Sequence, residues 1–226
     1  GPGVIVAIVE EGVCHSHEDL VENVHVNEAG LNGVEGEDDD ENGYIDDIYG
    51  FNFVTNGAVI TCNREGDTGH GHHIAGTIAA VNNNGVGVSG VAGGTGKGDG
   101  VRIMSIQIFD GVDDTGLSNN AAGIEYAADM GASVLQNSWG YPTEPSRIND
   151  SVYEQYYGVE LTALKYFQGK NNCPAMQGGV VIFAAGNETK ASADYPGAYN
   201  EFLCVTAYGP DGLPTSYTNY DTGCNV

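Results

Sequence analysis

Runs of branched apolar residues recur along the chain and alternate with segments of helical spacing. Residues 4–9 are continuously apolar, which is typical of a strand buried on both faces of a parallel sheet. Further strand-like runs follow at 101–109, 133–140, 178–187 and 202–208. Residues 70–80, 117–130 and 147–168 have helical spacing, the second ended by Gly131 and the third broken near Gly158.

This alternation predicts the fold class. Strand, helix and strand in succession imply right-handed crossovers and a mostly parallel sheet with helices on both faces, an α/β architecture. With 226 residues, 41% of them hydrophobic, the chain can bury one such core. We therefore expect a single domain over residues 1–226. No apolar run approaches the roughly 20 residues that span a bilayer, so no transmembrane segment is predicted.

The composition is strongly acidic and includes an odd number of cysteines. The formal net charge of −24 repels nucleic acid and anionic lipid and attracts cations, so no nucleic-acid partner is expected. At least one cysteine is unpaired within the chain, and the spacing neither forms a metal site nor decides the redox compartment. Cys204 lies in an apolar run and is predicted to be buried. The five cysteines are Cys14, Cys62, Cys173, Cys204 and Cys224.

Part of the negative charge is concentrated between residues 35 and 47. Oxygen-bearing side chains alternate before Gly43, as in the first half of an EF-hand-type calcium loop, where alternate side chains of a tight turn point inward. The bidentate Glu of the twelfth position is absent, since Tyr49 stands there. We predict a structural Ca²⁺ site here, and the alternative is a disordered acidic run. The predicted ligands are Asp38, Asp40, Asn42, Tyr44, Asp46 and Asp47.

Candidate catalytic side chains lie at two places. Residues 69–80 open with two glycines that flank His70, and a histidine at the start of such a helix has a pKa suited to proton transfer near neutrality. Glu10 lies at the carboxyl end of the first strand, where working residues of open α/β sheets are found. The alternative is that Glu10 and Glu11 form a solvated loop. For His70, His72 and His73 the alternative is a surface cluster or a zinc site, although no acid follows at metallopeptidase spacing.

Four motifs occur in the order of one known family. Residues 6–13 resemble the strand that ends in the catalytic acid of subtilases, the subtilisin-like serine peptidases, and residues 69–76 resemble their catalytic histidine helix. Residues 137–140 and 184–188 are similar to the family's substrate-binding strand and oxyanion-hole segment. The acid precedes the histidine, as in subtilisin. From residue 4 to its end, the chain is identified as a member of this family.

The resemblance implies a subtilisin-like three-layer fold and hydrolysis of protein or peptide substrates by an acid–His–Ser triad. Glu10 would orient His70, His70 would take the serine proton, and Asn187 would donate to the oxyanion. A peptide would pair with the substrate segments by strand addition. The resemblance also implies an extracellular or cell-surface setting and a cis peptide bond before Pro196. The implied substrate-binding residues are Ser138, Trp139, Gly140, Ala185 and Gly186.

Three features depart from the family's pattern. Glu10 stands where the family has Asp, and its added methylene moves the carboxylate by about 1 Å or more, a misplacement that can cost on the order of 100-fold in rate. His72 replaces the usual Thr, so it either disturbs the start of the helix or lies outward. No serine of the chain lies in the family's nucleophile motif, which is expected a few tens of residues after Tyr220.

Two hypotheses follow from these departures. In the first, the chain is a serine endopeptidase domain, incomplete at its C-terminus and inactive alone, and the serine lies in a missing segment or in a C-terminal fragment of the same precursor. In the second, it is a catalytically inactive homologue that keeps the groove as a peptide- or protein-binding module. Turnover by the whole protein distinguishes the two.

Overall fold

The computed structural model describes residues 3–62, 66–111, 113–114, 116–142 and 148–220. Six strands form the central sheet: β1 (Ile5–Glu10), β2 (Gly50–Asn52), β3 (Arg102–Gln107), β6 (Val134–Asn137), β7 (Val180–Ala184) and β8 (Leu203–Val205). Their order is β2-β3-β1-β6-β7-β8, and all pairs in this sheet are parallel. A separate antiparallel pair consists of β4 (Phe109–Asp110) and β5 (Asp113–Asp114). The predicted mostly parallel sheet is confirmed.

Every α-helix except the first lies where helical spacing predicted one. They are α1 (Glu28–Asn32), α2 (His70–Ala79), α3 (Leu117–Asp129), α4 (Asp150–Tyr156) and α5 (Gly158–Gly169), with a 3-10 helix at Val21–Asn23. The break predicted near Gly158 separates α4 from α5. Residue 147, where the third helix was predicted to begin, lies outside the described residues. No helix within the described ranges is long and apolar enough to cross a membrane.

The position of β1 explains its uninterrupted apolar sequence. β1 pairs with β3 on one side and β6 on the other, and helices pack on both of its faces. Val6 and Ile8 belong to a buried cluster with residues of α2, whereas Ala7 and Val9 belong to the larger cluster formed with α3 and α5. Because both faces are covered, every position along the strand is apolar until Glu10.

Close backbone contacts and a disulfide hold elements that the apolar pattern did not predict. Gly50 begins the three-residue edge strand β2 with φ +120°, and a Cβ there would lie 1.9 Å from the carbonyl oxygen of Ser105. A disulfide between Cys14 and Cys62 joins the loop after β1 to the loop after β2. Cys204 is buried, as predicted. Cys173 is also buried, and Cys224 lies outside the described residues.

Candidate active site

Glu10 ends β1 at the carboxyl edge of the sheet and joins two other segments. Its Oε2 lies 2.8 Å from Nδ1 of His70, and its Oε1 accepts the backbone N–H of Ser138 at 3.2 Å. Glu10 is 2% exposed and Glu11 is 5% exposed, so the solvated-loop alternative is wrong for both. The reason is that neighbouring strands and the start of α2 cover this end of β1. The longer Glu side chain reaches the imidazole at normal hydrogen-bond distance.

His70 is the first residue of α2, and local backbone geometry determines where that helix begins. Gly69 precedes it in the left-handed region at φ +76°. A Cβ on Gly71 would lie 2.3 Å from the carbonyl oxygen of Glu11, so only glycine allows the helix to approach the strand this closely. The side chain of His70 is 51% exposed, which leaves the imidazole open to solvent while Glu10 holds its Nδ1.

The surroundings of His70 favour its protonated form. The hydrogen bond with Glu10 raises the pKa of His70 above its usual value of 6.5, partial burial opposes this, and the negative charges of Glu10 and Glu11 raise it further. An imidazolium that forms during proton transfer would therefore be stabilised.

His72 does not disturb the helix, because α2 begins at His70 without interruption. Its ring lies 4.8 Å from the ring of His17, and burial lowers its pKa, with further lowering by His17 and His73. The ring of His72 thus packs against His17, whereas the ring of His70 is bonded to Glu10. Within the described residues, no three His, Cys, Asp or Glu side chains are arranged to hold a metal ion, so the zinc alternative finds no support.

The segment predicted to bind substrate, Ser138 to Gly140, leaves the carboxyl end of β6. Besides the bond from Ser138 to Glu10, the indole of Trp139 donates to the carbonyl oxygen of Val9 at 3.0 Å and packs edge-on against Phe183. This segment is thereby bonded to the end of β1 at two points. The predicted strand at 133–140 is shorter in the structure, where regular pairing ends at Asn137.

The predicted oxyanion segment follows β7, two strands away from β1. Ala185 is buried, Gly186 has φ +102°, and Asn187 is exposed. The backbone N–H of Asn187 donates to Oε2 of Glu188 at 3.1 Å. Among the described residues, no hydrogen bond involves the side-chain amide of Asn187. That amide is therefore free to donate to a bound group.

Two buried polar residues that the sequence analysis missed link these segments. Asn219, fully buried, accepts the N–H of Glu188 at 2.9 Å and donates to the carbonyl of Ala185 at 3.1 Å. Asp194 lies between the two predicted substrate segments. A Cβ added to Gly186 would lie 2.2 Å from Oδ2 of Asp194, and a Cβ added to Gly140 would lie 3.4 Å from the Cβ of Asp194. No motif marks either residue in the sequence. The sequence indicates this position only through Gly140 and Gly186, which leave no room for a side chain beside Asp194.

The acidic loop has the backbone of a calcium-loop first half. Asp38, at the first position, accepts the N–H groups of Asn42 at 3.0 Å and Gly43 at 2.8 Å. Gly43 has φ +94°, as the sixth position of such a loop requires. The disordered-run alternative is therefore wrong for this segment.

Carboxylates converge at the inner end of the loop. Nδ2 of Asn27 lies 3.0 Å from Oδ2 of Asp40 and 2.8 Å from Oδ1 of Asp47. Nδ2 of Asn42 lies 3.2 Å from Oδ2 of Asp40 and 2.9 Å from Oδ2 of Asp47. Asp47 is 2% exposed and also accepts the hydroxyl of Tyr126. The carboxylate oxygens of Asp40 and Asp47 are ligand atoms of the kind that Ca²⁺ prefers, whereas both asparagines present N–H groups to them. Within the described residues, no three acidic side chains are arranged to hold an ion.

The other two predicted ligands, Tyr44 and Asp46, form hydrogen bonds elsewhere within the loop. The carboxylate oxygens of Asp46 lie 3.0 and 3.1 Å from the backbone nitrogen of Gly36. The backbone nitrogen of Tyr44 donates to Oδ1 of Asn42 at 2.8 Å, while its ring packs against Phe51. The carbonyl of Tyr44 and the carboxylate of Asp46 stay predicted ligands.

Comparisons with known proteins agree with this architecture. A model of the subtilase family, peptidase S8, matches residues 1–225, and the chain therefore belongs to that family. It is 28% identical over 221 residues to subtilisin-like protease 1 of Plasmodium berghei (strain Anka), covering 98% of this chain and 32% of that protein. It is 27% identical over 226 residues to thermitase of Thermoactinomyces vulgaris, covering 100% of this chain and 62% of that protein.

A solved structure is also similar along the whole chain. It is a protease from Pseudoalteromonas arctica, with a TM-score of 0.62 and 26% identity, and the match covers 100% of this chain and 62% of that one. The chain thus spans less than two thirds of these relatives.

Proposed function

We propose that this chain is the acid–base and substrate-holding part of a serine endopeptidase, with the nucleophilic serine supplied from outside it. Family membership supports peptidase chemistry in general. The observation that carries the specific proposal is the contact of Glu10 with His70 at 2.8 Å, made by a carboxylate that also binds the N–H of Ser138.

The geometry at His70 suits a general base. With its Nδ1–H donated to Glu10, the imidazole presents an unprotonated Nε2 to a serine hydroxyl. The hydroxyl proton moves to Nε2 as the serine oxygen attacks the peptide carbonyl, and it later passes to the leaving amine. Glu10 keeps the correct tautomer and stabilises the imidazolium throughout.

The remaining predicted residues would hold the peptide and its developing charge. Ser138, Trp139 and Gly140 would pair with an extended peptide on one side, and Ala185 and Gly186 would line the other. The exposed amide of Asn187 would donate to the oxyanion. Losing such a donor in a related peptidase costs roughly 2.7–4 kcal/mol in transition-state stabilisation.

Labelling of the full-length protein by a fluorophosphonate probe tests the proposal directly. We expect covalent labelling of a serine outside residues 1–226, together with hydrolysis of internal peptide bonds in an unstructured protein substrate. Absence of both labelling and turnover in a folded protein would reject it. Peptide binding without turnover would instead support the inactive, peptide-binding homologue. The inactive-homologue hypothesis rested partly on the presence of Glu10 where the family has Asp. The hydrogen bond between Glu10 and His70 weakens that argument.

A structural Ca²⁺ at residues 38–47 accompanies this proposal. Asp40, Asn42 and Asp47 would hold the ion at the inner end of the loop, joined by Asp38, the carbonyl of Tyr44 and Asp46. Its chemistry there would be charge neutralisation. The ion would hold the loop against Tyr126 of α3, which donates to Asp47.

We also propose an extracellular or cell-surface setting for the protein. The Cys14–Cys62 disulfide supports it, because such bonds form and persist in oxidising compartments. The proposed partners are a protein or peptide substrate and a C-terminal segment of the same precursor that carries the serine.

A further inference from the structure

We propose that Glu11 is a positioning residue for the catalytic base: it holds the backbone of His70 while Glu10 holds the ring of the same residue. The inference rests on the proposed peptidase function, and it assigns a role to a buried carboxylate that the triad does not use. Adjacent residues of β1 and its following loop would then hold His70 at two points.

Within the described part of the chain, the Glu11 carboxylate is bonded to the first residue of α2 and to Thr68, two residues before it. Its Oε2 accepts the backbone N–H of His70 at 3.0 Å, and its Oε1 accepts the backbone N–H of Thr68 at 3.3 Å. The hydroxyl of Thr68 lies 3.0 Å from each of the two oxygens. A carboxylate that is 5% exposed is costly unless it is bonded, and these donors supply the compensation.

The same contacts hold the first turn of α2 against the end of β1. The N–H of His70 is one of those that a helix leaves without an intrahelical acceptor, and a negative group there is also favoured by the helix dipole. The main chain of Glu11 touches Gly71, where a Cβ would lie 2.3 Å from the Glu11 carbonyl oxygen. The side chain and main chain of Glu11 therefore both limit where the His70 Cα can lie, and hence where its imidazole lies.

Glu11 also contributes electrostatically. The acidic groups that face His70 from β1 and its following loop are Glu10 and Glu11, and both raise the pKa of His70. On α2 itself, His73 is exposed and the ring of His72 packs against His17. A second negative charge close to the imidazole would stabilise the imidazolium formed during proton transfer, so removing it would slow that step.

The test compares Glu11→Gln with Glu18→Gln in the full-length protein. Both variants remove one negative charge, but Glu18 is exposed and lies seven residues further along the chain. Gln keeps an oxygen acceptor for the N–H of His70. We expect Glu11→Gln to move the imidazole NMR titration of His70 to lower pH and to reduce kcat by roughly 3–10-fold with KM unchanged. Glu18→Gln should change neither quantity.

Thr68→Ala provides a second variant, since Thr68 is exposed and the substitution removes a hydroxyl donor without touching the carboxylate. We expect Thr68→Ala to reduce kcat less than Glu11→Gln does. The double variant should lose no more kcat than Glu11→Gln alone, because both changes weaken the same hydrogen bonds between Glu11 and the start of α2. A merely structural cap would instead lower the melting temperature and leave kcat of the folded protein unchanged.

A folded Glu11→Gln protein with the wild-type His70 titration and wild-type kcat would overturn the assignment. If the wild-type protein shows neither turnover nor fluorophosphonate labelling, the proposed peptidase function fails. The NMR titration still decides the role of Glu11 in that case, because it needs no nucleophile.

Discussion

The carboxylates at the end of β1 and those of the acidic loop are held by different kinds of partner. Glu10 and Glu11 are nearly fully buried and bonded to an imidazole and to N–H and hydroxyl donors of the protein. In the loop, Asp47 is equally buried, whereas Asp38 is half-buried and Asp40 is exposed, and two asparagine amides serve both Asp40 and Asp47.

This difference separates two uses of negative charge. A carboxylate bonded to an imidazole, or to the backbone N–H of the same histidine, can orient a reacting group. Carboxylates that lie next to each other and share the same amide donors repel one another and are stabilised by a cation. We therefore expect substitutions at Glu10 to reduce catalysis without changing the stabilisation by calcium. Substitutions in the acidic loop should lower stability without changing the pH dependence of catalysis.

Glu10→Gln should have the largest effect. An amide cannot stabilise the imidazolium, and it also favours the wrong tautomer of His70, so kcat should fall by roughly 10⁴-fold. The measurement is kcat of the full-length protein, with Glu18→Gln as the matched control. The stabilisation by calcium should be the same as in wild type. A loss below about 10-fold would remove Glu10 from the triad.

Glu10→Asp should be less severe, even though it introduces the residue that the family usually carries. The shorter side chain withdraws the carboxylate by about 1 Å or more from Nδ1 of His70, and we expect a loss of roughly 100-fold in kcat. The positions of β1 and α2 in this chain suit the longer side chain. Wild-type kcat in this variant would show that the backbone adjusts instead.

Calcium should act on stability alone. At about 100 times its Kd the ion would stabilise the folded protein by roughly 2.7 kcal/mol, so a chelator should lower the melting temperature by several degrees. Asp47→Asn should abolish this calcium-dependent difference. Glu37→Gln, an exposed acid in the same loop, should retain it. A melting temperature that does not respond to chelation in wild type would reject the ion.

The pH dependence should give the smallest effect. A general base must be neutral, and Glu10 raises the pKa of His70, so kcat/KM should increase as pH rises through a value above 6.5. Removing the negative charge in Glu10→Gln should move this limb to lower pH in its residual activity. Asp47→Asn should leave the pH at which kcat/KM rises unchanged. A shift of that pH in Asp47→Asn would show that the two sets of carboxylates are coupled.

Much of this architecture follows from local patterns in the sequence. An apolar run buried on both faces predicts β1, and a polar residue at its end is predicted to lie at the carboxyl edge of a parallel sheet, as Glu10 does. Helical spacing after a glycine predicts α2 and the place of His70 at its start. The alternation of oxygen-bearing side chains before Gly43 predicts the turn of the acidic loop.

Other features depend on which atoms meet after strands and helices have packed. The sequence presents Glu10 and Glu11 as neighbouring acids, yet packing assigns the ring of His70 to one and its backbone to the other. The buried positions of Asn219 and Asp194 and the Cys14–Cys62 pair have the same origin. Residue types and spacing determine the elements and their order. The partners of each buried polar group follow from distances of a few ångströms between segments far apart in the chain, and only the packed molecule defines those distances.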